Sequence, residues 1–339
     1  MDTNTRQIAL SVIVPCFNVE PYLDRSLGCL ERQWNERDDY EIILINDAST
    51  DGTIDKLNEF KQRYPNNVVV IDKKVNAGAA EARNSGLDVA RGEWIVFFDP
   101  DDALVDNGYG TLLERASESG CDILSFAISS LPDYNWCDDV CHQAIDSEII
   151  WQGTSDDYLL HNPFGVSCSY LFNKKVLEGH RFPRMVICED TVFNLPLFLK
   201  KWLVCKTNAC VYLYCVRNES ATTTINPQRL NQSCNDIMKA ILFLNSSEKG
   251  LEKEIITRLR EHQSTFAVNL VTRLLLSTKN RKELKLIQKQ LCELSLIPLA
   301  SGGLKAKLFD FFIRHPRMML MFRPFYRMLR FLRKSLIHG

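Results

Sequence analysis

Three carboxylates crowd a single turn: Asp99, Asp101 and Asp102 in Asp99-Pro100-Asp101-Asp102, directly after the apolar run Trp94–Phe98. Acids this close repel one another, and a divalent cation relieves the repulsion. Mg2+ and Mn2+ take hard oxygen ligands, commonly one or two carboxylates with substrate phosphates completing the shell. A solvated turn with a helix cap is the plain alternative for any one of them. Asp47 lies in Asn46-Asp47-Ala48-Ser49-Thr50-Asp51-Gly52-Thr53. Ser49, Asp51 or Thr53 can cap the helix that follows. Asp47 precedes them and is expected to be free to accept hydrogen bonds from a base N–H or a ribose hydroxyl. Arg83 sits a little over one turn into a helix opened by small residues, Asn76-Ala77-Gly78-Ala79-Ala80. It can brace the acidic cluster, reach a phosphate, or stand as an ordinary surface residue. Neither a GxGxxG fingerprint nor a GxxxxGK[ST] loop is present,.

These residues need elements to hold them. Leu10–Val14, Glu41–Ile45, Val68–Ile71 and Trp94–Phe98 are apolar runs of strand length, as expected of strands buried on both faces. Helical patterns over Glu20–Arg32, Thr53–Arg63, Ala79–Ala90 and Asp106–Ser119 alternate with them, and Asp122–Ser129 is a further strand. Repeated βα units predict a doubly wound, mostly parallel sheet with helices on both faces. Such sheets bind ligands at the carboxyl ends of their strands. Asn18, Asp47 and the Asp99–Asp102 cluster all fall there. Beyond residue 130, Cys168–Phe172 and Val211–Val216 are strand-like and flank a helix at Asp190–Trp202. From Pro227 the pattern turns helical, with Asn231–Asn245, Leu251–Ser277 and Arg281–Leu294 as three helices and Ser301-Gly302-Gly303 as a hinge. The expected division is a domain at 1–225, a helical region at 226–300 and a basic amphipathic tail at 301–339.

Ser11-Val12-Ile13-Val14-Pro15-Cys16-Phe17-Asn18, the Asn46–Thr53 stretch, Gly78 with Ala82-Arg83-Asn84 and Gly86, and Phe97-Phe98-Asp99-Pro100-Asp101-Asp102 together resemble glycosyltransferase family 2. Order and spacing match over about the first 110 residues. The resemblance implies a GT-A fold and a nucleotide-sugar donor, a UDP-sugar in this reading. It implies that Pro15, Phe17, Asn18 and Asp47 line the nucleotide pocket, and that Asp99 and Asp101 form a DxD pair with Asp102 adjacent, binding Mn2+ or Mg2+. A second match at Ile187-Cys188-Glu189-Asp190-Thr191-Val192-Phe193 implies that Asp190 is the catalytic base. A sugar hydroxyl is a poor nucleophile near neutral pH, so a positioned carboxylate must take its proton. Acids also suit a helix start for reasons of dipole alone. Tyr214-Cys215-Val216-Arg217-Asn218-Glu219-Ser220 loosely resembles a loop near the donor phosphates. Inversion in a single displacement is implied. The Gln-x-x-Arg-Trp signature and spanning helices of processive members are missing, which implies a single addition to a glycan or lipid-linked acceptor in bacterial surface polysaccharide synthesis.

Of the 339 residues, 41 are Lys or Arg and 42 are Asp or Glu, for a net charge of -1. Near-neutrality excludes a general nucleic-acid binder. The 45% hydrophobic content excludes a mainly disordered chain,. The charge is unevenly spread: residues 301–339 hold nine bases and one acid, Asp310. From Pro324, one helical face collects Phe325, Met328, Leu329, Leu332 and Leu336. The opposite face collects Arg323, Arg327, Arg330 and Lys334. That arrangement predicts an interfacial anchor to anionic lipid through residues 304–339. A helix packed on the body is the alternative. The start of the chain has no signal-peptide pattern, and no run approaches the roughly 18 apolar residues of a spanning helix. The expected location is cytoplasmic, peripheral on the inner face of the membrane. The twelve cysteines suit a reducing compartment. Cys137, Cys141 and His142 lack a second pair at zinc spacing. Rival classes are a nucleotidyltransferase, whose glycine-rich basic phosphate loop Ser11–Asn18 lacks, and a non-catalytic glycan-binding protein on the same scaffold.

Overall fold

The computed structural model of the chain describes residues 7–34, 37–132, 141–142, 145–162, 165–216, 226–297 and 304–337. Strand β1 (Leu10–Cys16) and strand β2 (Tyr40–Asn46) are buried along their whole length. They pair parallel from Leu10 opposite Tyr40 to Cys16 opposite Asn46. Strand β3 (Val68–Asp72) extends the sheet beyond β2, and strand β4 (Trp94–Phe97) lies on the other side of β1, all four parallel. Helix α1 (Glu20–Glu31), helix α2 (Thr53–Arg63) and helix α3 (Ala79–Val89) make the crossovers. Small residues let α3 lie close: a Cβ on Gly86 would stand 2.5 Å from a methyl of Ile13.

Past β4 the sheet becomes mixed. Strand β5 (Ala103–Leu104), helix α4 (Gly108–Ser119), strand β6 (Ile123–Pro132), strand β7 (Ile149–Thr154), helix α5 (Ser155–His161), strand β8 (Tyr170–Asn173), helix α6 (Glu189–Phe198) and strand β9 (Leu203–Val216) follow. The sheet order is β3-β2-β1-β4-β8-β6-β9-β5, with β7 also on β9. β8 runs antiparallel to both β4 and β6, while β6 and β9 are parallel. The α/β class and mostly parallel sheet are as expected. The short antiparallel edges β5 and β7 were not foreseen, since two to six residues carry too little periodicity to register.

Two compact units divide the chain: Met1–Arg184 with Glu189–Ser220, and Met185–Cys188 with Ala221–Gly339. The second contains helices α7 (Pro227–Ser246), α8 (Lys253–Leu276), α9 (Arg281–Glu293), α10 (Leu304–Arg314) and α11 (Pro316–Ile337). Asn226 caps α7 by accepting from the Gln228 and Arg229 N–H groups, with Pro227 at the first helical position,. Asn280 and Glu283 form a reciprocal capping box on α9,.

Residues 304–328 are not the separate tail that the charge split suggests. Phe309, Phe312, Ile313 and Met319 are buried in one core with Ile241, Leu270, Leu274 and Leu284. Arg323 and Arg327, expected on the helix face opposite the apolar one, turn to the end of α8. Arg323 donates to the Leu274 and Lys279 carbonyls at 3.0 and 2.6 Å and to Ser277 Oγ at 3.1 Å. Arg327 Nη2 donates to the Leu276 and Ser277 carbonyls at 2.8 and 2.9 Å. A helix C-terminus leaves carbonyls unpaired and carries partial negative charge, and these two guanidinium groups answer both needs. The apolar side of α11 is nonetheless open: Met318, Met321, Phe325 and Met328 are exposed, Met321 by 74%. The side chains of Leu329, Arg330, Leu332, Lys334 and Leu336, like Ser301–Gly303, lie outside the described residues. Among the described residues no helix is long and apolar enough to cross a membrane.

Candidate active site

The carboxyl ends of β1, β2 and β4 carry the expected residues to one edge. Pro15 is buried within β1, and Phe17 beyond it is nearly half exposed. Asn18 adopts φ 52°, a left-handed conformation that asparagine tolerates better than most. Its Oδ1 accepts from the Thr50 N–H at 2.8 Å, and its own N–H donates to Ser49 Oγ at 3.0 Å. The first two βα turns are thereby stitched together.

Asp47 differs from its expectation. It is only 2% exposed, and its carboxylate is already engaged. Lys73 Nζ donates to it at 2.5 Å, the Ala77 N–H at 3.0 Å and the Gly78 N–H at 2.7 Å. Gly78, at φ 89°, sits where the chain turns into α3, so Asp47 shapes the start of that helix.

Arg83 proves to be a brace. It is buried, its Nη2 donating to Asp99 Oδ1 at 2.7 Å and its Nη1 to Glu189 Oε1 at 3.3 Å. Its guanidinium lies 5.4 Å from the centre of the Phe182 ring, which stacks on Phe193 at 3.6 Å. Burial opposes the charge, but the carboxylates of Asp99, Asp190 and Glu189 outweigh it and raise the Arg83 pKa. One cation thus gathers the end of β4 and the start of α6. Glu189 is pushed up to about 7, first by burial and then by Asp190, against the pull of Arg83. Asp190 Oδ1 accepts the Ser167 N–H at 3.1 Å. Glu189 as the second arm of this clamp went unrecognised, because an acid at a helix start has a sufficient local reason to be there.

The three clustered acids part company. Asp102 is buried and turns inward: Tyr212 donates to its Oδ2 at 2.6 Å and the Cys215 N–H to its Oδ1 at 2.9 Å. Burial, then the Asp99 charge, lifts Asp102 to about 7. Each of its oxygens accepts a hydrogen bond from β9, where a ligand to a metal was expected. Asp99 is 32% exposed, and among the described residues its Oδ2 receives no hydrogen bond. The Asp101 carbonyl accepts from Arg25 at 2.5 Å. No three His, Cys, Asp or Glu groups converge on a metal position among the described residues. Arg217–Ser220 of the loose phosphate-loop match, and Cys137, lie outside the described residues.

The model of the family "Glycosyl transferase family 2" matches residues 11–181. The poly(ribitol-phosphate) beta-glucosyltransferase of Bacillus spizizenii is 27% identical over 262 residues, covering 75% of this chain and 40% of that protein. The chain thus spans well under half the length of that relative. A GalNAc(5)-diNAcBac-PP-undecaprenol beta-1,3-glucosyltransferase of Campylobacter jejuni is 29% identical over 194 residues, 57% of this chain and 60% of that one. The crystal structure of S. aureus TarS 1–349 in complex with UDP superposes with a TM-score of 0.60 at 17% identity, covering 95% of this chain and 91% of that chain. That likeness is one of fold. With half of its length under the family model, and the residues at the sheet edge supplied by the matched segment, the chain belongs to glycosyl transferase family 2.

Proposed function

We propose that this protein transfers one sugar from a UDP-sugar to a hydroxyl of a glycan or lipid-linked acceptor in bacterial surface polysaccharide synthesis, with inversion at the anomeric carbon. The observation that carries the reading is the Arg83 clamp, which ties Asp99 to the first turn of α6, where Asp190 stands. Asp190 is the base. Its carboxylate accepts the acceptor hydroxyl proton as that oxygen bonds to the anomeric carbon. The bond from that carbon to the diphosphate breaks with its electron pair going to UDP. The Ser167 N–H orients Asp190 through one oxygen and leaves the other for the acceptor, the geometry general-base catalysis requires.

The donor nucleoside lies against Pro15, Phe17 and Asn18. Asp47 supports that wall through Ala77 and Gly78 rather than offering an idle carboxylate. The donor set fits Mn2+ or Mg2+ with Asp99 and Asp101 as protein ligands, because hard oxygens at an open sheet edge suit ions that keep most of their shell for phosphate and water. When bound, the ion neutralises charge developing on the leaving diphosphate. Arg83 holds Asp99 in place.

The apolar face of Met318, Met321, Phe325 and Met328 rests on lipid. Exposed Lys307, Arg314 and Arg317 supply positive charge for anionic headgroups,. The protein then works at the inner face of the cell membrane, where a lipid-linked acceptor is reached.

UDP release from a panel of UDP-sugars, with acceptor extract and Mn2+, tests the activity. Asp190→Asn is expected to bind UDP as the parent does while turnover collapses. Undiminished turnover in that variant refutes the assignment of the base.

A further inference from the structure

We propose that Cys29 and Cys141 form a dithiol that hydrogen peroxide converts to an intramolecular disulfide, a thiol-modification site made of residues the transfer reaction does not use. The two sulfurs are 3.7 Å apart although 112 positions separate them in the chain. Both side chains are wholly buried. Surrounding contacts fix this meeting. Arg32 Nη2 donates to Cys29 Sγ at 3.5 Å, and Arg32 Nε donates to Asp106 Oδ1 at 2.8 Å. The other Asp106 oxygen meets His142 Nδ1 at 2.6 Å, and the Asp106 N–H donates to the Cys141 carbonyl at 2.9 Å. Asp106 therefore holds the cation beside Cys29 through its carboxylate and the backbone that carries Cys141 through its N–H.

The electrostatics set the two sulfurs apart: Cys29 is lowered, while Cys141, its hydrogen-bond partner, is raised by that bond and by burial. Burial lifts the Cys16 and Cys168 thiols, and lifts Cys234 to about 11. Cys121, which hydrogen-bonds Cys205, also rises to about 11, chiefly through burial. Cys29 goes the other way. The hydrogen bond from Cys141 lowers it most, against burial, with help from the Leu104 backbone and the Arg32 charge. A lowered thiol beside a cation is the form that attacks an oxidant, and its neighbour is already within reach to resolve the product. A small neutral oxidant is required, because both sulfurs are covered and are reached through local opening.

The chemistry balances. The Cys29 thiolate attacks one oxygen of hydrogen peroxide, the O–O bond breaks, and the departing hydroxide takes up the thiol proton as water. Cys29 is left as sulfenic acid. Cys141 sulfur then attacks Cys29 sulfur, the S–O bond breaks, and hydroxide leaves with the Cys141 proton as a second water. Two thiols and one peroxide give one disulfide and two waters, with two electrons passing from sulfur to oxygen.

The test uses the full chain, reduced, titrated with hydrogen peroxide, alkylated and cleaved before aspartate. Cys29 then lies on the peptide Asp24–Arg37 and Cys141 on Asp139–Ile145, each with a single cysteine. The expected product is a species joining the two, lighter by two hydrogens than their sum and lost on treatment with dithiothreitol. Arg32→Gln should slow its formation several-fold. Two results would overturn the proposal. One is the absence of the linked species at a peroxide dose that oxidises the exposed Cys210 and Cys292 in the same sample. The other is Cys29 linked to a different cysteine, such as Cys137, ahead of Cys141.

Discussion

Replacing Glu189 by glutamine should change the pH dependence of stability in a direction opposite to that of most acids. The Glu189 carboxyl is lifted from 4.5 to about 7, first by burial and second by Asp190, with Arg83 pulling it back. The folded chain therefore holds this proton more tightly than the unfolded chain. That contribution to stability is fully present below about pH 4.5 and is lost as the pH rises through 7,. A rise from 4.5 to about 7 corresponds to about 3 kcal/mol at roughly 1.4 kcal/mol per tenfold change in proton affinity. The Glu189 side chain is 16% exposed, so little of this is lost to solvent screening. The Glu189→Gln amide keeps the shape and carries no titrating proton. Relative to the parent, the variant should gain about 2 to 3 kcal/mol between roughly pH 5 and pH 8. Groups that titrate equally in both proteins cancel. All five tryptophans, Trp34, Trp94, Trp136, Trp151 and Trp202, belong to the unit that contains Glu189. Urea unfolding followed by tryptophan fluorescence at pH 5, 6, 7 and 8 thus reads that unit alone. A parent-to-variant difference that stays flat across the series, or that moves against the variant as pH rises, refutes the claim that burial outweighs Arg83 at this carboxyl.

Two further outcomes follow from the second unit. Arg323→Met removes three donors from the end of α8 and leaves the Leu274 and Lys279 carbonyls without them. At about 1 to 3 kcal/mol for a buried polar group left unpaired, the helical signal should be lost at clearly lower urea than in the parent, with tryptophan fluorescence following its usual course. Met321→Asp places a charge on the most exposed apolar side chain among the described residues of α11. It should abolish cosedimentation with anionic vesicles while leaving the thermal melt unchanged, and retained vesicle binding would remove the lipid role of that face.

What could be read from residue order alone stops at a definable point. β1 to β4 and their crossover helices are local: each is a buried apolar run or an amphipathic stretch followed by cap residues, and the Asp, Asn and Arg side chains that matter fall at the joints. Direction is a different matter, because it depends on what arrives from far along the chain. Asp99 and Asp102 are three residues apart and look alike in sequence. Asp102 is claimed by Tyr212 and Cys215 on β9, more than a hundred residues later, and Asp99 by Arg83. The separation of one acid into a strap for the sheet and another into an ion pair with Arg83 is tertiary information. The same holds for Asp47, whose partners Lys73, Ala77 and Gly78 arrive only when β3 and α3 come alongside. Arg323 shows it again in the second unit. A helical wheel sorts bases from apolar residues and assigns the bases to solvent or lipid, yet the unpaired carbonyls at the end of α8 claim two of them. Of the expected apolar face, Phe325 and Met328 are described and exposed, and a basic half must come from residues other than Arg323 and Arg327. With Arg323 and Arg327 engaged by carbonyls, salt should weaken the proposed lipid contact of α11 less steeply than it would with both of them facing the headgroups.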